Sequence, residues 1–161
     1  MNPPPTRRRV VAMLAGLPAL ACPALAGATS LPKIVVAKDP NCGCCAGWVD
    51  HLRAAGFSAE VNDTPRVNAV KARLGVPPEL ASCHTAEIGR YVIEGHVPAS
   101  AIVRLLKELP EGKGLAVPGM PTGSPGMEVE GSPPDTYEVI LFGAFGQRPF
   151  ARFRGATELP G

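Results

Sequence analysis

No apolar run in this 161-residue chain reaches the roughly 20 residues needed to span a ~30 Å hydrocarbon core. The longest candidate, Val10 to Leu20, is too short, and it lies between Arg7-Arg8-Arg9 and the small-residue sequence Ala24-Leu25-Ala26. That layout predicts a secretory signal peptide over residues 1–26, and its arginines resemble a twin-arginine signal. The mature chain is then expected to be exported to the periplasm and to carry no membrane span. An excess of one charge is missing as well. The 16 Lys and Arg stand against 14 Asp and Glu, and removing Arg7, Arg8 and Arg9 with the leader leaves 13 against 14. So even a balance gives no electrostatic footprint for nucleic acid. The chain also lacks a G-x-x-x-x-G-K-S/T phosphate loop, an H-E-x-x-H helix and a nucleophile elbow, so the sequence offers no hydrolase site. There is no internal repeat and no second domain.

What the chain does have is thiols, crowded. Pro40-Asn41-Cys42-Gly43-Cys44-Cys45-Ala46 places three cysteines within four positions, and Cys83-His84 supplies a fourth thiol beside an imidazole. The fifth, Cys22, leaves with the leader. Exported proteins can keep disulfides, so any thiolate chemistry here has to coexist with oxidation.

The 45% apolar content suits one globular domain with a real core. Ile34-Val35-Val36 reads as a buried strand over Lys33 to Ala37 that feeds directly into the cysteine loop. A helix follows, with Cys44, Cys45, Trp48, Val49, Leu52 and Ala55 on one arc and Gly56 ending it. Phe57 to Val61 alternates as a second strand. Thr64-Pro65 caps a second helix carrying Val67, Val70 and Leu74, which Gly75 stops. Thr85 to Ile88 and Tyr91 to Ile93 flank Gly89-Arg90 as a hairpin. Pro98 opens a third helix with the stripe Ile102, Leu105, Leu106 and Leu109, closed by Pro110. This order predicts an α/β, thioredoxin- or glutaredoxin-like three-layer sandwich over residues 33–110, after a linker at 27–32. Residues 111–161 read as a Gly/Pro/Met-rich extension with an added hairpin, Tyr137 to Phe142 with Phe150 to Arg154.

The chemistry follows from where the thiols fall. A helix N-terminus carries roughly half a positive charge and favours the thiolate, which is both nucleophile and metal ligand. Cys42 and Cys45 have the spacing of a dithiol redox centre, with Cys42 attacking and Cys45 resolving. Cys44 is the thiol that such a centre does not need. Three thiolates this close repel one another, and a soft cation such as Cu(I) relieves the repulsion by bridging sulfurs. In a thioredoxin-like fold the segment before the hairpin faces the thiol-bearing helix end, which brings Cys83 and His84 into reach. Met120 and Met127 stand in a loop too polar to need them for packing, and thioethers favour Cu(I) over zinc or calcium. His51, seven residues beyond Cys44 and so about 10 Å along the helix, is expected at the surface. His96 is held as a cap, a hydrogen-bonding group or an outer ligand. A structural Cys45–Cys83 disulfide is the plain alternative, and zinc or an iron–sulfur cluster would also accept four cysteines.

Pro40-Asn41-Cys42-Gly43-Cys44-Cys45, Trp48-Val49-Asp50-His51-Leu52, Leu80-Ala81-Ser82-Cys83-His84-Thr85, Tyr91 to Pro98 and Gly114 to Pro121 together resemble the CopG-type periplasmic copper-resistance proteins. The resemblance covers roughly residues 33 to 142. It implies a thioredoxin-like domain with a C-x-C-C motif, a C-terminal extension that contributes to metal binding, several copper ions in a thiolate-bridged cluster, and interconversion of Cu(I) and Cu(II). Carried onto this chain, it implies Cys42, Cys44 and Cys45 as bridging ligands, with Cys83, His84, Met120 and Met127 as further ligands. The expected protein is a monomer that works beside copper-efflux or copper-handling partners. Two alternatives stand next to it: a thiol–disulfide oxidoreductase using Cys42 and Cys45, and a passive copper carrier similar to the Sco-type chaperones.

Overall fold

Every second residue of Ile34–Lys38 (β1) is buried, and this strand sits inside a sheet covered on both sides. The computed structural model describes Met1 and residues 31–160; the leader expected at 1–26 lies, apart from Met1, outside the described residues. After β1 come α1 (Gly43–Ala54), β2 (Ala59–Asp63), α2 (Val67–Leu74), β3 (His84–Ile88), β4 (Tyr91–Glu94), α3 (Ala99–Glu108), β5 (Gly114–Ala116), β6 (Thr136–Gly143), β7 (Gly146–Arg154) and β8 (Thr157–Glu158). The strands form one eight-stranded sheet in the order β2-β1-β3-β4-β5-β6-β7-β8. β1 and β2 are parallel across α1, and β4 and β5 are parallel across α3. The other neighbours are antiparallel. Among the described residues, no helix is long and apolar enough to cross a membrane.

The sheet separates two cores. On one face Ile34, Val36, Ile88, Ile93 and Leu115 pack against Trp48, Val49 and Leu52 of α1 and Ile102 and Leu105 of α3. On the other, Val92, Ala116 and Phe142 pack against Leu74 of α2 and against Val76 and Leu80. Strand alternation sends Ile93 one way and Val92 the other, so all four residues of β4 are buried.

Gly56 and Gly75 adopt left-handed φ values of 93° and 71° just past α1 and α2, as their positions predict. Thr64 accepts the Arg66 N–H at 3.1 Å, but α2 begins only at Val67. The Gly89-Arg90 hairpin is present. Five expectations are corrected. β2 starts at Ala59 rather than Phe57, because Phe57 turns into the core at the end of α1. Ala55 is exposed, and Leu109 is 58% exposed with a left-handed φ of 48°, so α3's apolar stripe stops short of it. The extension is more regular than its Gly and Pro content predicts, since β5 lies within it. The added hairpin, finally, is longer than expected and is built into the main sheet through β5.

The outer strands carry their own breaks. Register slips between Val139 and Ile140 of β6, leaving Phe150 of β7 unpaired next to Pro149, which has no N–H to give to a ladder. β8 has two residues, and Arg104 of α3 ties this edge down by donating to Glu158 and to the Phe150 carbonyl.

Leu105 is fully buried, so Leu105→Ala should cost about 2–5 kcal/mol. Leu109→Gly should instead be neutral or stabilise by up to about 1 kcal/mol, because glycine adopts the left-handed backbone without strain. Urea unfolding of both variants checks this, and a markedly destabilised Leu109→Gly would contradict the exposed, left-handed placement.

Candidate metal centre

Between β1 and α1, the Asn41 N–H donates to Asp39 Oδ1 at 2.9 Å and the Cys42 N–H to the Asp39 carbonyl at 3.1 Å, which turns the chain into the helix. Cys42 is the N-cap residue, yet its side chain makes no capping hydrogen bond, and the first turn of α1 holds no acidic residue. The sulfurs therefore meet the positive end of the helix with no carboxylate in its first turn.

Cys42 and Cys45 are joined as a disulfide, while Cys44 and Cys83 are free thiols. The Cys45–Cys83 disulfide considered from the sequence is therefore not formed. Cys44 Sγ lies 3.5 Å from Cys42 Sγ and 3.9 Å from Cys83 Sγ. The four sulfurs all fall within 4.8 Å of one another. A second group meets the same distance limit: Cys83 with His84 and His96. Cys83 belongs to both groups and so makes one continuous set of four sulfurs and two imidazoles.

His96 Nε2 is 3.1 Å from Cys83 Sγ, and its Nδ1 is 2.8 Å from the Pro125 carbonyl. A carbonyl only accepts, so Nδ1 carries the proton and Nε2 turns its lone pair to the sulfur. His84 Nδ1 lies 3.3 Å from the same sulfur, and its Nε2 is buried with no partner among the described residues. The His84 ring rests on Trp48 with centroids 4.3 Å apart and meets His96 edge-on at 4.9 Å. Trp48 is held in turn by donating to the Val97 carbonyl at 2.9 Å.

These surroundings favour neutral groups. Burial, then the neighbouring Cys44, pushes the Cys83 thiol up to about 11. Burial, then His96 and Lys71, holds His84 well below the ordinary imidazole range. His96 is lowered by burial, against the pull of the Pro125 carbonyl and Glu128. Neutral imidazoles with free lone pairs are ready ligands, whereas the thiol must give up its proton to become one.

Two glycine contacts close the site. Gly95 has φ 69°, and a Cβ there would sit 2.5 Å from the Val117 carbonyl oxygen and 2.6 Å from Ser82 Cβ. Only glycine lets the end of β4 approach so closely and turn His96 onto Cys83. Gly126 has φ 85°, and its Cβ would lie 2.5 Å from both the Cys44 carbonyl oxygen and the Trp48 nitrogen. The 118–127 loop is thereby pressed onto α1, with Ser82 Oγ donating to the Gly119 carbonyl at its other end.

Of the residues singled out from sequence, the fold gathers Cys42, Cys44, Cys45, Cys83 and His84. His96, expected as a cap, a hydrogen-bonding group or an outer ligand, bonds to the Pro125 carbonyl and lies within the same distance limit as Cys83 and His84; its close contact with Cys83 was the part not expected. The signal was Gly95, whose left-handed turn after a strand redirects the next side chain inward. His51 is a correction of the opposite kind. It is half-buried, and its Nε2 accepts the Ala99 N–H at 3.1 Å, capping α3 from α1. Met120 is 54% exposed on the loop beside Ser82, and Met127 is half-buried one residue beyond Gly126.

Residues 80–127, which include Cys83, His84 and His96, match the model of a family described as a protein of unknown function, DUF411. A comparison with curated proteins returns no match. Two solved structures of copper resistance protein CopG, forms 1 and 2, are similar to the chain at 42% and 43% identity. Each has a TM-score of 0.69 and covers 81% of this chain and 99% of the other.

His51, His84 and His96 are all lowered, with burial the largest cause in each. In a proton NMR titration of metal-free protein every imidazole midpoint should fall below the ordinary ~6.5, and His84 should fall furthest. Folded values below the unfolded one mean that these groups contribute stability above about pH 6.5 and lose it as pH falls toward the folded values. Glu94, raised by burial, runs the other way: its contribution is present at low pH and is lost as pH rises through its folded value. An imidazole titrating at or above ~6.5 would contradict the buried, neutral arrangement.

Proposed function

Since the chain belongs to the CopG family of copper resistance proteins, we infer that it binds copper through the continuous set of sulfurs and imidazoles centred on Cys83. The observation that carries this reading is the sharing of Cys83 between a four-sulfur group and a Cys-His-His group. Sulfur ligands suit Cu(I) and imidazoles suit Cu(II), so one site offers donors for both states. The unpartnered His84 Nε2 and the lone pair on His96 Nε2 fit the same need.

In this reading Cys42, Cys44 and Cys45 would hold copper through their sulfurs, and Cys83, His84 and His96 would complete the donor set. Met120 and Met127 act from the loop over the site. Bound copper supplies one-electron chemistry between Cu(I) and Cu(II). The protein's own contribution is to hold the imidazoles neutral and oriented, to half-bury Cys83, and to cover the site with the 118–127 loop. Cys42 and Cys45 can serve as ligands only after a dithiol donor has reduced their disulfide by thiol–disulfide exchange, the donor passing on two electrons and two protons and itself ending as a disulfide. The setting is the periplasm, the core is a thioredoxin-like unit enlarged by β6 to β8, and the monomer exchanges copper with efflux or copper-handling proteins.

One observation favours a second reading. The Cys42–Cys45 disulfide at the start of α1 is what a thiol–disulfide oxidoreductase would carry, with Cys42 as nucleophile. In that case Cys44 would be dispensable.

Protein exported to the periplasm and purified without added metal or reductant should carry several coppers per chain, with strong thiolate-to-metal absorption bands. Cys44→Ser should lose most of that copper while staying folded, and His96→Ala should lower affinity by roughly 10-fold or more. Metal-free protein that cannot take up Cu(I), but reduces insulin disulfides in a manner abolished by Cys42→Ser, would hand the function to the oxidoreductase reading.

A further inference from the structure

On the face of the sheet away from α1, Lys71 of α2 and Glu94 of β4 form an ion pair with side chains only 6% and 0% exposed. Lys71 Nζ donates to Glu94 Oε1 at 2.5 Å and to the His84 carbonyl at 2.8 Å. The same Glu94 oxygen accepts the Ser82 backbone N–H at 2.6 Å. The pair thus grips the backbone on both sides of Cys83, one residue before it and one after.

Stability does not explain why charge is kept here. Apolar side chains of similar volume commonly replace a buried ion pair with no loss, or with a gain, because two charges no longer have to leave water. The neighbours Leu74, Val76 and Val92 make an apolar setting that would accept such a replacement. What apolar groups could not do is bond to the Ser82 N–H and the His84 carbonyl. Those two backbone groups fix how the chain enters β3, and hence where Cys83 and the His84 ring emerge on the far side.

We propose that Lys71 and Glu94 are positioning residues that hold Cys83 and His84 in place through the sheet and so set the affinity of the copper site. The metal part of this proposal rests on the copper-binding reading above; the geometric part does not. Neither residue is a ligand. Groups that orient ligands in this way typically change metal affinity by about 10–100-fold when removed.

The test compares parent protein with Lys71→Met/Glu94→Leu in two measurements. The first is the rate at which iodoacetamide alkylates Cys83 in metal-free protein, read by mass spectrometry. The second is Cu(I) affinity by competition with a chromophoric chelator. The variant should stay folded, its Cys83 should be alkylated several-fold faster, and its Cu(I) affinity should fall by about 10–100-fold. In a Cys83→Ala background the same double substitution should lower Cu(I) affinity by clearly less than it does in the parent, because only the His84 contribution is left to lose, a result that general loosening would not give. Unchanged alkylation and affinity in a folded variant would overturn the proposal. If the double variant does not fold, Lys71→Met/Glu94→Gln removes the ion pair and the bond to the His84 carbonyl but keeps an amide oxygen for the Ser82 N–H, and it should move both readouts in the same direction by less. Faster alkylation in a chain whose parent binds no copper would sink the copper-binding reading and leave the positioning role standing.

Discussion

The site depends on one close approach, the 118–127 loop laid backbone against backbone on α1. Gly47 and Gly126 face each other there, and a Cβ on Gly47 would already lie 3.0 Å from the Gly126 Cα. Because the loop is seated, the Pro125 carbonyl reaches His96 Nδ1 and decides which imidazole nitrogen faces Cys83. Glu128 accepts the Gly126 N–H at 2.9 Å, so its carboxylate is held close to His96. A candidate metal site whose sulfurs and imidazoles come from the start of α1, the start of β3 and the end of β4 is thereby closed by a segment that supplies mostly backbone.

That loop is anchored from the far end of the chain. Asp135 exchanges hydrogen bonds with Thr122, its side chain accepting the Thr122 N–H at 2.8 Å and its own N–H reaching the Thr122 carbonyl at 2.9 Å. The Asp135 carbonyl takes the Gly155 N–H at 3.1 Å, and Tyr137 donates to the Gly155 carbonyl at 2.6 Å. The C-terminal strands thus steady the loop beside the thiols, which gives residues beyond Phe142 a place in the site's architecture.

Much of the core was legible in the sequence because it rests on local rules. Gly56 and Gly75 end helices, Pro98 starts one, and Gly89-Arg90 closes a hairpin, each through the backbone freedom or restriction of one residue. The thiol cluster was legible for the same reason, since Cys42, Cys44 and Cys45 share one loop and one helix start. The rest depended on tertiary contacts. β5 has three residues in a Gly/Pro-rich stretch and exists because β4 and β6 offer it edges. In sequence His51 reads as a surface residue and His96 as a cap, a hydrogen-bonding group or an outer ligand, yet a glycine turn brings His96 onto Cys83 while His51 caps a neighbouring helix. Lys71, at an unremarkable helical position, is buried because Glu94 waits beneath it.

The two rims of the sheet have a consequence for how the protein survives as a solution species. One rim is β2, where Glu60 pairs with Lys33 and Asp63 with Lys38, so a second chain adding there would meet charge. The other is β8, two residues long, beside a strand interrupted at Pro149. Neither offers a long, flat row of free N–H and C=O groups for strand addition. A wide sheet with buried faces is open to edge-to-edge aggregation, and this one ends on both sides in strands that are poor templates for it.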